Sequence, residues 1–181
     1  MRKTFGKNIE VLKGINLDID DGEFLILVGG PGYRKSTTPN TMAGLETVTK
    51  GDIVMDGKRI NDLPPKDRYI AMVFRSYALN PSMNVLDNIA FGLSLPKVPQ
   101  VEQNATTARS TKLLQIEALL DRKPAQLFGG RRKRVAMIRA LAREPKIFLV
   151  YEPLSNLDAK LRIEIRSEIK LLHKRLAITI L

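Results

Sequence analysis

Cysteine is missing altogether from the 181 residues. That absence excludes disulfides, thiolate metal sites and cysteine nucleophiles, and agrees with a reducing compartment. Long apolar runs are also missing: none approaches the ~20 residues that a membrane-spanning helix needs. The start, Met1-Arg2-Lys3-Thr4-Phe5, has no apolar signal-peptide core. These features point to a cytoplasmic protein. Aromatic residues are few, 6% of the chain, and rarely interleave with basic ones, which weakens the case for a platform that stacks single-stranded bases. Internal repeats and low-complexity tracts are lacking too.

What is present is an ordinary apolar content of 44% and a surplus of positive charge, +11 from 30 Lys and Arg against 19 Asp and Glu. Such a chain can bury one core, and its charge raises nucleic acid or an anionic membrane surface as partners. The charges are dispersed, however. The single basic run, Arg131-Arg132-Lys133-Arg134, opens a helical pattern carried by Val135, Ile138 and Ala142, and so reads as a solvated helix face.

Periodicity predicts alternating strand from 9 to 19, a buried strand at 24–28, and a helix from Lys35 to Leu45 whose start is distorted by Pro39 displacing Thr38 from helical angles. Residues 51–58 read as a hairpin arm turning at Asp56-Gly57, and 70–74 as a second buried strand. Helices are expected near 85–92, 105–119 and 131–143, then a core strand at 146–150, an amphipathic helix at 159–176 and the beginning of a strand at 177–181.

The most informative segment runs from Phe24 to Thr37. An apolar stretch feeds a glycine-rich turn ending in Lys-Ser-Thr. In a phosphate-binding loop the pattern is Gly, four residues, Gly-Lys-Ser/Thr: backbone N–H groups cradle the phosphates, the Lys reaches the outer ones and the hydroxyl holds Mg²⁺. Gly29, Lys35 and Ser36 fit this spacing, while Arg34 stands at the second glycine. Two further segments follow in order: Leu127-Phe128-Gly129-Gly130-Arg131 before a helix, and the 146–150 strand ending in Tyr151-Glu152-Pro153 with Ser155-Asn156-Leu157-Asp158 behind it. A strand ending in an acid beside a phosphate loop is where carboxylates position Mg²⁺ and an attacking water.

With these segments the chain resembles the nucleotide-binding subunits of ABC transporters, above all the importer ATPases for maltose, other sugars and glycerol phosphate. The stretches GEFLILVG, AGLETVTKGDIVMDGKRIND, LLDRKP and LHKRL run collinear with that family over nearly the whole sequence. The resemblance implies an α/β P-loop NTPase fold with an antiparallel β subdomain and an inserted helical subdomain, incomplete at the C-terminus. Its parts would be residues 1–84, 85–143 and 144–181 of one domain. It further implies ATP and Mg²⁺ as ligands, a second ATP-binding subunit, identical or different, and integral membrane permease subunits as partners. No nucleic acid is expected. The place of work would be the cytoplasm, peripheral on the inner face of the cell membrane.

Carried over by position, Gly29, Gly32, Lys35, Ser36 and Thr37 match the phosphate loop, Ser36 as the metal ligand, and Glu152 matches the acid that polarises the attacking water. Gly129 and Gly130 match the signature segment that grips the γ-phosphate across the dimer. Asp158 matches the loop that crosses the dimer, and equally suits a helix N-cap. Phe5 stands at the family's adenine-stacking aromatic, and equally suits a core position. Five positions depart from the family: Arg34 for glycine, Tyr151 for aspartate, Phe128 and Arg131 for the polar partners in the signature segment, and Arg75 for glutamine. An L-residue in the loop's crowded backbone costs about 1–3 kcal/mol, so ATP affinity should fall. Tyr151 cannot anchor Mg²⁺, so hydrolysis should fall further. The chain reaches Leu181 before the family's switch histidine, and its lone His173 reads as an ordinary surface residue. An open sheet edge at that end predicts marginal stability.

Two functions therefore stand side by side: an ATPase subunit of a sugar-class importer, and a catalytically silent or regulatory remnant of one. A nucleic-acid-binding role, raised by charge alone, ranks behind both.

Overall fold

The structure, a computed structural model, describes residues 1–6, 9–29, 36–74, 76–94, 99–113, 116–153 and 159–181. Its first ribbon pairs β1 (Arg2–Phe5) antiparallel with β2 (Ile9–Lys13), Phe5 opposite Ile9. The alternation expected to continue to residue 19 stops pairing at Lys13. Gly14 takes a φ of +88° and turns the backbone out of the pleat, after which the Ile15 N–H donates to the Met1 carbonyl at 2.9 Å. A second ribbon, β3 (Val54–Met55) with β4 (Lys58–Arg59), closes at Asp56-Gly57 as expected. Both turn residues have positive φ, 51° and 73°, the pairing of angles that matches the twist of flanking strands.

The central sheet is parallel, in the order β5 (Ile70–Val73), β6 (Ile147–Val150), β7 (Thr179–Ile180). Ile70 faces Ile147, and Ile147 in turn faces Thr179. Parallel strands read as continuous apolar runs because both faces are covered. Two adjacent residues make the point, since successive side chains leave a strand on opposite faces. Phe148 joins the cluster of Val85, Ile89 and Ile138, whereas Leu149 packs with Met42 and Ala43 on the other side, and both are fully buried.

Five helices are found among the described residues: α1 (Thr37–Met42), α2 (Val85–Ser94), α3 (Gln100–Leu113), α4 (Gly129–Leu141) and α5 (Ala159–Leu176); α3 packs on α2 and α4. Thr38 stays helical despite the following proline; Pro39 lies in the first turn, where a missing N–H is tolerated. α3 starts five residues earlier than expected, because the Pro99 carbonyl accepts from the Gln103 N–H at 3.0 Å, and 117–119 is a separate 3₁₀ turn. α2 crosses α4 at Gly92, where an added Cβ would lie 3.1 Å from the Arg139 carbonyl oxygen. The basic run at the start of α4 does not all face water: Arg131 and Arg132 are exposed, but Lys133 is buried with its ammonium 5.1 Å from the centre of the Tyr77 ring.

Segment 24–28 departs furthest from expectation. It joins the sheet only at its beginning, by a parallel bridge from Phe24 to Ile180 and an N–H from Leu25 to the Ile180 carbonyl. Ile26 and Val28 are 66% and 91% exposed. The segment lies on the outer edge beside β7, and no described strand flanks its far side, so Ile26, Leu27 and Val28 stay in solvent while Phe24 packs on the core.

Candidate nucleotide site

In open parallel α/β sheets ligands bind outside the carboxyl ends of the strands. Here that edge is formed by Val73, Val150 and Ile180, with Gly29 ending the edge segment and Ser36 standing before α1. Ser36 has helical angles and makes no side-chain hydrogen bond to its own helix, so its hydroxyl is not committed to capping. Behind it Thr37, Thr38 and Thr41 are buried, and the Thr41 hydroxyl donates to the Thr37 carbonyl at 2.7 Å. The far end of α1 is held by Arg68, only 2% exposed, whose guanidinium donates to the carbonyls of Thr41, Met42, Asn61 and Leu63 at 2.8–2.9 Å. A cation on the last carbonyls of a helix suits its negative end. Burial pushes the Arg68 pKa down.

β6 delivers the acid. Its ladder continues one residue further, the Tyr151 N–H donating to the Val73 carbonyl at 3.0 Å, and then Glu152 turns the chain with a φ of +47°. A glutamate in left-handed backbone is uncommon and concentrates at functional turns. Pro153 is fastened by the Tyr77 hydroxyl, which donates to its carbonyl at 3.1 Å. Tyr77 thus ties the loop after β5 to the loop after β6, with Lys133 against its ring. Neither Tyr77 nor Lys133 was singled out from sequence, because their pairing joins segments 56 positions apart that no local spacing connects.

The other expected site residues divide into two groups. Gly32, Arg34, Lys35, Arg75 and Asp158 lie outside the described residues. Gly129 and Gly130 form the first turn of α4, whose N-cap is Phe128, 79% exposed and offering no capping oxygen. Phe5 is half-buried at the end of β1, with the Lys3 ammonium 4.7 Å from its ring centre; Lys3 also pairs with Glu46 at 3.1 Å. His173 is not a plain surface residue. It is half-buried, its Nε2 is 2.7 Å from the Gly22 carbonyl oxygen, and its ring lies 5.3 Å from that of Phe24.

Among the described residues no group of three His, Cys, Asp or Glu side chains gathers to hold a metal. Mg²⁺ beside a nucleotide takes one or two protein oxygens and otherwise phosphates and water; a serine hydroxyl and a glutamate carboxylate are oxygens of that kind.

Residues 12–155 match the family described as ABC transporter. The chain belongs to the ABC transporter family. It is 52% identical over 179 residues to the sn-glycerol-3-phosphate import ATP-binding protein UgpC of Bordetella avium, covering 99% of the chain and 50% of that protein. To the uncharacterized ABC transporter ATP-binding protein YurJ of Bacillus subtilis it is 51% identical over 181 residues, covering all of the chain and 49% of that protein. The chain thus spans about half the length of these relatives. Among solved structures, cbiO1 of Clostridium perfringens, part of the ABC transporter complex cbiONQ, superposes with a TM-score of 0.88 at 31% identity, over 99% of this chain and 73% of that one. The ATP-binding cassette MJ0796, dimeric and bound to ADP and Pi, superposes with a TM-score of 0.76, also at 31% identity, over 99% of this chain and 82% of that one. The ABC-type P-loop NTPase fold expected from the sequence is therefore the fold of this chain.

Proposed function

We propose that the chain is the ATP-binding part of an ABC importer for glycerol phosphate, sugars or related solutes, and that it binds ATP with Mg²⁺. What supports this reading is the family match over residues 12–155 together with the Glu152 turn, φ +47°, at the carboxyl end of β6. The solute class rests on the likeness to glycerol-phosphate import proteins. In this reading one cassette is made of the parts 1–84, 85–143 and 144–181.

The amides of the loop from Gly29 through Gly32 to Thr37 receive the phosphates, Lys35 neutralises their outer charge, and the Ser36 hydroxyl faces the metal. Bound Mg²⁺ supplies charge neutralisation across the outer phosphates. Glu152 orients and deprotonates the attacking water, held in place by the Tyr151 and Pro153 anchors on either side. Phe5 stacks on the adenine with the ring face that Lys3 leaves open. Gly129 and Gly130 at the α4 N-terminus, together with Asp158, serve the site across a dimer with a second ATP-binding subunit. The pair works with membrane permease subunits at the cytoplasmic face of the cell membrane; no helix of the described residues is long and apolar enough to cross the membrane itself.

Titration with a fluorescent ATP analogue, with and without Mg²⁺, tests the reading beside phosphate release and the Lys35→Ala variant. The expected result is Mg²⁺-dependent binding in the micromolar range that Lys35→Ala weakens by about a hundredfold, close to 3 kcal/mol. Absence of binding at millimolar nucleotide overturns it.

A further inference from the structure

The turn that precedes the phosphate-loop segment is fastened to the end of α5 by more bonds than a surface turn needs. Gly22 takes a φ of +72°, and an added Cβ would lie 3.2 Å from the Ala177 carbonyl oxygen, so the turn sits directly on the α5–β7 corner. Its N–H donates to the Thr179 hydroxyl oxygen at 3.0 Å. Its carbonyl faces His173 Nε2 at 2.7 Å; against a carbonyl, that nitrogen must be the donor. One residue on, the Glu23 carbonyl accepts from the Ile180 N–H and the Leu25 N–H donates to the Ile180 carbonyl, both at 2.9 Å, while Phe24 packs on the imidazole. Beyond Leu25 the run Ile26–Val28 is exposed. The bonds at residues 22–25 fix the register at the start of the segment that leads into the loop.

We propose that His173 is a positioning residue for nucleotide binding: its Nε2–H on the Gly22 carbonyl locks residues 22–25, the entry to the glycine-rich segment, onto β7. The inference rests on the nucleotide-site reading above and deepens it. An imidazole can do this where an aliphatic side chain cannot, because it supplies one directed donor and one flat face to the same turn. The two contributions separate by substitution. His173→Gln keeps a donor of similar reach and loses the ring, His173→Phe keeps a ring and loses the donor, and His173→Leu loses both.

The test compares these variants with the unaltered chain by amide hydrogen exchange of segment 20–29 without nucleotide, by affinity for the fluorescent ATP analogue, and by thermal melting. The expected result is exchange about fivefold to tenfold faster at Leu25 and Ile180 in His173→Phe and His173→Leu, as for one lost hydrogen bond, with His173→Gln near the unaltered rate. Analogue affinity should follow the same order, while all variants retain one cooperative melt. Unchanged exchange in His173→Phe overturns the clamp. Faster exchange with unchanged analogue affinity makes His173 a structural residue only, and overturns the positioning role. If the unaltered chain binds no nucleotide, the function proposed above fails, and with it the positioning role; the exchange data then judge the clamp alone.

Discussion

Arg68 is the residue on which the placement of α1 most depends. Its four carbonyl acceptors come from two segments, the C-terminal end of α1 and the turn at 61–63. Replacement by methionine keeps much of the volume and strands buried carbonyls, so Arg68→Met should cost about 2–4 kcal/mol, read as a lower urea midpoint. Lysine should rescue little, since a single ammonium cannot reach a fork of acceptors. Tyr151 offers the opposite experiment. Its backbone is held by Val73 irrespective of side chain, so Tyr151→Asp should leave the fold intact and supply a carboxylate next to Glu152. Mg²⁺-dependent phosphate release should then rise by about tenfold or more, which is 1.4 kcal/mol or more off the barrier; an unchanged rate would show that the acid at 151 does not limit turnover here. Arg68 had no signature in the sequence because its acceptors are backbone atoms. Tyr151 was legible because it interrupts a known pattern.

Among the elements, α2 and α4 are the pair whose packing tolerates least. Gly92 brings α2 within 3.1 Å of the Arg139 carbonyl, measured from the Cβ it lacks. Gly92→Ala gains helix propensity and meets a tight contact, so its net effect should stay within about 1 kcal/mol. Gly92→Val adds two methyl groups to the same gap and should destabilise by about 1–3 kcal/mol, lowering the melting temperature by several degrees. Burial pushes the Arg139 guanidinium pKa down as well, in keeping with its place beside this crossing. Helix existence was readable from apolar spacing in α2, α4 and α5. Both ends of α5 and the start of α2 also fall where expected; the starts of α3 and α4 do not, since they follow the Pro99 and Phe128 carbonyls, which accept from Gln103 and Arg132, and neither residue type is a strong capping signal.

At the scale of the whole molecule, the exposed apolar run at the sheet edge predicts self-association. Ile26 and Val28 are exposed, and the stretch 24–28 carries no charge or proline to discourage pairing. Ile26→Lys should change unfolding free energy by no more than about 0.5 kcal/mol and should reduce concentration-dependent light scattering. Equal scattering in the variant would place the association elsewhere. The net charge of +11 acts against this association at low salt and less so at high salt, as surface charges are screened.

The sequence by itself determined the family, the core strands at 70–73 and 147–150 and the turn at Asp56-Gly57, because these depend on local properties: a motif needs its residue types at fixed spacing, a strand covered on both faces is apolar throughout, and an Asp-Gly turn needs left-handed angles. Only the tertiary structure decided that 26–28 is exposed, that Lys133 is buried against Tyr77, and that His173 holds the turn at Gly22. Each of these depends on what the fold brings alongside a residue, and hydrogen bonds to backbone carbonyls across 151 positions leave no periodicity in the chain.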